Sequence, residues 1–269
     1  MIARWQLDGN IAAIISAAAD AKIDLARPER GLAVHLSGPD RLASPLQILG
    51  VALADQLTVQ TERIDAYTRG TDLVVIYGET PTRRLRSQVY WRSIAAEDFA
   101  ASFAPYVVIA FDLILSSNTS LLDSDPQSNV RSLVPSAAQM MHWERTATSD
   151  LQAQQISLLQ MVGNSSRLAV TPQSNAAGCF LTRFNHIPFS YVEMVHPADF
   201  CSSTVTFANA QQTVEPSALI EHQLFRQRLE KGVILRARVR SAVVARHNDE
   251  AAAVAAFKQF AATEPPLTT

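Results

Sequence analysis

Hydrophobic and polar positions alternate along much of the chain. From Val233 to Arg246 the odd positions (Val233, Leu235, Ala237, Val239, Ser241, Val243, Ala245) are small or apolar, while Arg236, Arg238, Arg240 and Arg246 fall on even ones. A period of two places these sets on opposite faces of one long strand. A second stretch behaves alike: Arg84, Arg86, Gln88, Tyr90 and Arg92 share one parity, and Leu85, Val89 and Trp91 the other. Short runs rich in Val, Ile, Tyr and Phe recur through 47–53, 56–60, 72–77, 85–94, 106–116, 155–162, 167–170, 178–184, 189–196, 203–208, 219–229 and 233–246. Turn-forming groups such as Arg69-Gly70-Thr71-Asp72, Gly78-Glu79-Thr80-Pro81 and Gly163-Asn164-Ser165-Ser166 separate them. Near the start, Asp8-Gly9-Asn10 between two apolar segments predicts a hairpin, because Asp-Gly tolerates the positive φ of primed turns. The alanines at 17–21 also admit a short helix. Many short strands with regular turns predict an all-β protein, a large antiparallel β-sandwich.

Helical sequence is scarce. His247-Asn248-Asp249-Glu250 offers caps and acidic first-turn residues, and Val254, Phe257 and Phe260 then form one stripe, so a C-terminal helix is predicted over Ala251 to Ala262. Glu264-Pro265-Pro266 stops it. A weaker helical piece is expected over Pro135 to Thr146, preceded by a long polar loop at 118–136. Strand signals resume on both sides of that loop and no repeat stands out, so residues 1–269 read as a single β-sandwich domain.

Composition narrows the picture. The 269 residues are 48% hydrophobic and 18% charged, an ordinary globular balance. A net charge of −2 argues against nucleic acid as the main partner, which calls for a basic excess. Only Lys22, Lys231 and Lys258 are lysines; the other basic residues are arginines. Cys179 and Cys201 read first as reduced core residues, with a disulfide or metal ligation as alternatives. The apolar run Ile11–Ala19 is too short to span a bilayer and lacks the flanks of a cleaved leader, so no membrane association and a cytoplasmic location are expected. No glycine-rich phosphate loop, G-x-S-x-G elbow, H-E-x-x-H or Cys-x-x-Cys motif is present, and neither a cofactor nor a metal is expected.

Chemistry is then sought on the polar faces. If the strands carrying Arg84, Tyr90 and Arg92 and those carrying Arg236 and Arg238 share a sheet, they build a basic, aromatic-dotted surface suited to an anionic sugar. Glu221 and Glu230 are candidates to balance that charge; a solvated sheet face with packed arginine stems is the plainer reading. A third stretch, Arg183 to Asp199, holds His186, Glu193 and His196, the candidates for acid–base work. On a continuous strand Glu193 and His196 point to opposite faces, which weakens a metal site unless a bulge intervenes.

Within that stretch, Asn185-His186-Ile187-Pro188-Phe189 resembles the Asn-His-x-x-Phe segment of galactose mutarotase and its relatives. The resemblance implies a β-supersandwich whose concave sheet binds a sugar, with histidines and a glutamate exchanging protons at the anomeric centre. It carries over directly only to His186. The family's C-terminal glutamate motif has no convincing counterpart, although Glu215, Glu221 and Glu230 lie in that region. The leading expectation is a carbohydrate-binding or carbohydrate-modifying protein, and, if an enzyme, an epimerase-like isomerase. The alternatives are a non-enzymatic interaction or structural protein and a metal-dependent hydrolase. The oligomeric state is left open.

Overall fold

The structure, a computed structural model, describes residues 4–38, 41–53, 62–81, 84–101, 103–146, 150–156, 167–208 and 217–264. The strand predicted at 56–60 and the end of that at 155–162 lie outside the described residues.

The chain opens with five strands, β1 (Gln6–Asp8), β2 (Ile11–Ile15), β3 (Ala19–Asp24), β4 (Leu32–Leu36) and β5 (Leu46–Ala52). It continues through β6 (Arg63–Arg69), β7 (Asp72–Tyr77), β8 (Leu85–Ile94) and β9 (Val107–Thr119). There follow β10 (Ser128–Pro135), β11 (Ala137–Arg145), β12 (Leu151–Ile156), β13 (Arg167–Val170), β14 (Ala176–Phe184) and β15 (Phe189–Val195). Last come β16 (Ser202–Ala208), β17 (Ser217–Leu224), β18 (Leu235–Ala245) and the helix α1 (Asp249–Ala261). The strands form two nine-stranded antiparallel sheets. The first runs β1-β2-β3-β4-β5-β10-β17-β16-β13 and the second β12-β11-β14-β15-β18-β9-β8-β7-β6.

The sheets pack face to face, as the predicted sandwich requires. Inward residues of the first sheet, among them Ile14, Ile23, Ile48, Val130 and Ile220, join Val75, Trp91, Leu113, Phe180, Tyr191 and Val239 of the second in one apolar cluster. The Asp8-Gly9-Asn10 hairpin forms, with Gly9 at φ 56°. The alanine-rich 17–21 segment leads into β3 and is not a helix.

A second cluster covers the outer face of the second sheet. Leu181, Val192, Met194, Ala242 and Val244 pack there against Ala253, Ala256, Phe257 and Phe260 of α1. Strands β14, β15 and β18 are thus buried on both faces over much of their length, with Arg183, Glu193, Arg238 and Arg240 as paired polar interruptions. The same double burial misled the reading of Pro135–Thr146 as helical. There β11 sends Met140 toward the inter-sheet core and Met141 and Trp143 toward α1, so apolar residues sit on both parities and the strand period is hidden. The supposed polar loop at 118–136 likewise contains β10, whose serines face inward. Among the described residues, no helix is long and apolar enough to cross a membrane. Both cysteines are free and buried.

One close approach fixes the entry to β4 against β5. Gly31 has φ 69°, and a Cβ there would lie 2.2 Å from the Ile48 carbonyl oxygen and 2.6 Å from the Gly50 nitrogen. Backbone strain and steric overlap therefore combine at this residue. Gly31→Ala is expected to lower stability by about 2–4 kcal/mol; urea unfolding measures it, and a loss below about 0.5 kcal/mol contradicts the contact.

Candidate functional site

Strand register places the predicted polar face as a set of rows. Strands β18, β9 and β8 are neighbours, with Arg236, Arg238 and Arg240 opposite Ser116, Ile114 and Asp112, and these opposite Gln88, Tyr90 and Arg92. The rows continue onto β7 and β6 through Arg92–Asp72–Arg69, Tyr90–Val74–Tyr67 and Gln88–Ile76–Asp65. The two strands share a sheet, the condition that the sequence reading set, and Tyr90, Arg92, Arg236 and Arg238 lie on its outer face. Arg84 does not join them. It sits with φ 52° in the turn before β8 and pairs with Glu79 at 2.8 Å.

The first row is a ladder of alternating charge, Arg69, Asp72, Arg92, Asp112 and Arg240. Arg92 grips Asp72 with two bonds of 2.6 and 3.0 Å, and Arg240 grips Asp112 with two of 2.7 and 2.8 Å. The bond to Asp72 pushes the Arg92 pKa up against the effect of burial, so the guanidinium stays charged. The acids that balance the arginines are thus Asp72 and Asp112, and not Glu221, which lies on β17 in the first sheet. Sequence reading passed over both. Asp112, polar within the apolar run Val107–Leu115, was the available signal.

Helix α1 divides this face. Arg240 lies 4.6 Å from the ring centroid of Phe260, and Arg238 bonds Asp199 and the Thr263 carbonyl oxygen. Both arginines are buried beneath the helix and its exit. His196 lies under the same cover, edge-on to Phe260, with Nδ1 accepting the Ala198 amide at 3.2 Å. Burial first, then Arg238, lowers its pKa. Asp249 anchors the helix: Arg183 donates to it at 2.9 and 2.7 Å and Ser190 at 2.7 Å. Burial pushes the Asp249 pKa up, but these donors outweigh it and the net shift is downward.

Beyond the helix the face stays open. A groove of about 330 Å³ lies across β7, β8, β9 and the approach to β18, lined by Arg86, Gln88, Ser116, Asn118 and Arg236, with Ile76 and Ile234 as apolar walls. Arg236 Nε donates to Ser116 Oγ at 2.9 Å, tying two of the lining residues together. Tyr90 stands in the adjoining row. These groups can donate to a carboxylate or phosphate and exchange hydrogen bonds with hydroxyls.

The proposed acid–base trio does not assemble. His186 is exposed, with φ 62°, in the β14–β15 turn, His196 is under α1, and Glu193 points between the sheets. Among the described residues, no group of three His, Cys, Asp or Glu is placed to hold a metal ion. Glu193 instead centres a network that sequence reading missed. Its Oε1 lies 2.7 Å from His222 Nε2, and its Oε2 accepts from Ser132 at 2.5 Å and from the Tyr191 hydroxyl. Ser203 Oγ lies 2.6 Å from His222 Nδ1. Burial, then Glu193, holds the Tyr191 pKa well up, so the phenol keeps its proton and donates. The Ser203–His222–Glu193 chain has the connectivity of a hydrolytic triad, yet all three residues are 0% exposed. Nothing can reach the serine, and the network's role is to join the sheets.

No protein-family profile matches the chain, and no curated protein matches it by sequence. Solved structures do match its fold. A candidate mutarotase (YeaD) from Salmonella typhimurium superimposes with a TM-score of 0.54, covering 91% of this chain and 94% of its own at 7% identity. The Slr1438 protein from Synechocystis gives 0.53 over 91% and 96% at 8% identity. The α-galactosidase AgaB from Geobacillus stearothermophilus gives 0.52 at 8% identity over 90% of this chain and 41% of the enzyme, so the chain spans about two fifths of that protein's length. The chain shares its two-sheet fold with these proteins. At such identities the likeness concerns the fold, and activity has to be argued from the site. In this chain the mutarotase-like Asn185–Phe189 segment forms a turn, and α1 occupies the sheet surface beside it.

Two outcomes follow from these contacts. Glu193→Ala strands His222, Ser132 and Tyr191 without their acceptor and is expected to cost about 3–5 kcal/mol, with Glu193→Gln costing less because it keeps the shape and one acceptor; equal losses in chemical denaturation would contradict the network. Asp249, with its folded pKa depressed, contributes stability that is complete above the ordinary carboxylate pKa of about 4 and is lost as pH falls through the folded value. Arg183→Gln should therefore lower stability at pH 7 and flatten its fall below pH about 5, read from unfolding midpoints between pH 2 and 7.

Proposed function

We propose that the protein binds a carbohydrate bearing a negative charge, in the groove of Arg86, Gln88, Ser116, Asn118 and Arg236, and that the site binds its ligand without transforming it. The observation that carries this reading is the composition of the groove: two guanidinium groups, two amides and a hydroxyl converge on one open trough with apolar walls. Amides and hydroxyls match the hydroxyl pattern of a sugar, and arginine suits its carboxylate or phosphate through paired N–H donors. Epimerisation at an anomeric carbon needs a proton donor and a proton acceptor across the ring. The described lining brings neither a carboxylate nor an imidazole to the groove, which favours recognition over catalysis.

Isothermal titration with glucuronic acid, galacturonic acid and glucose 6-phosphate, against glucose and galactose, tests this. Binding of at least one acidic sugar and weaker binding of its neutral counterpart are expected. Arg236→Ala should reduce the affinity about tenfold or more, the scale of a lost charge-assisted hydrogen bond. Absence of binding by every acidic sugar removes the proposal.

A further inference from the structure

Tyr90 stands in the row beside the groove. Along that row, Tyr90 on β8 is followed by Val74 on β7 and Tyr67 on the edge strand β6. Val74 is buried between them, whereas Tyr67 is 40% exposed and Tyr90 partly so, so both rings offer surface on either side of it. Two interstrand steps separate their strands by about 10 Å. The Tyr90 hydroxyl lies within the electrostatic reach of Tyr67, Arg236, Arg69 and Asp72, so both tyrosines border the same polar strip. The neighbouring row carries Gln88, Ile76 and Asp65 in parallel with them.

This spacing bears on ligand size. One pyranose ring stacked on Tyr90 reaches the arginines of the groove but not Tyr67. A second ring further along an extended chain, running across the strands, meets Tyr67. Tyrosine suits this use because its ring face packs against the C–H face of a sugar while its hydroxyl stays in water. We infer, resting on the carbohydrate reading of the groove, that its ligand is a linear acidic oligosaccharide laid across β9, β8, β7 and β6, with Tyr90 and Tyr67 as two stacking platforms.

Calorimetry with galacturonic acid and its α-1,4-linked oligomers of two to six residues, and with mannuronic acid and its β-1,4-linked oligomers, tests this. In at least one series affinity is expected to rise about tenfold from the monosaccharide to the oligomer that reaches Tyr67, then to level off. Tyr67→Ala, a change at an exposed position, should bring the long oligomers back to the affinity of the monosaccharide. Binding of the monosaccharide with no gain in either series overturns the inference and leaves the groove proposal standing. A gain that survives in Tyr67→Ala also overturns it. Absence of binding by any acidic sugar removes the groove proposal and this inference together.

Discussion

The sandwich turns on a carboxylate held where no water reaches it. Glu193 leaves β15 toward the first sheet, where Ser132 of β10 and His222 of β17 meet it, with Tyr191 of its own strand as third donor. An isolated charge in such a place costs several kcal/mol, and donors on both oxygens offset that. Apolar faces can slide over one another with little change in energy; this bond set cannot. Ser132 also accepts the Leu49 amide, and the Leu49 carbonyl accepts from Trp91, so the same chain reaches from the second sheet through β5 and back. The network sets the register in which the two sheets face each other.

On the outer side a different electrostatic arrangement governs. Five charged residues of alternating sign cross the second sheet in one row, and α1 closes over one end of it. The helix buries Arg238 and Arg240 only because Asp199 and Asp112 accompany them and because the Phe260 ring lies over their guanidinium groups. Asp249 then fastens the helix start to Arg183 and Ser190. What remains open is the part of the face beyond the helix, with Arg86, Gln88, Tyr90 and Arg236. The site is defined as much by where the helix stops as by which side chains the strands present.

The shared architecture with a mutarotase-like protein and with part of an α-galactosidase shows how one frame hosts different surfaces. Here the segment most like a mutarotase, Asn185 to Phe189, builds a turn with an exposed histidine, and the nearest sheet surface is filled by alanine and phenylalanine from α1.

Much of this was legible in the order of residues. The two-residue period placed Tyr90 with Arg92 on one face of its strand and Arg236 with Arg238 on one face of theirs, whereas tertiary pairing brought the two strands into one sheet. The period is legible because side-chain direction in a strand is a local property of the backbone. The C-terminal helix and the first hairpin were legible for the same reason. Strand β11 was not, since burial on both faces removes the alternation that marks a strand. The opposite directions of Glu193 and His196 were legible, but not that one meets a sealed core and the other a covering helix. Sequence alone determined which side chains share a face, by short-range geometry. Only the tertiary structure decided which faces meet water, because burial depends on partners more than a hundred residues away, as Asp112 and Arg240 are from each other.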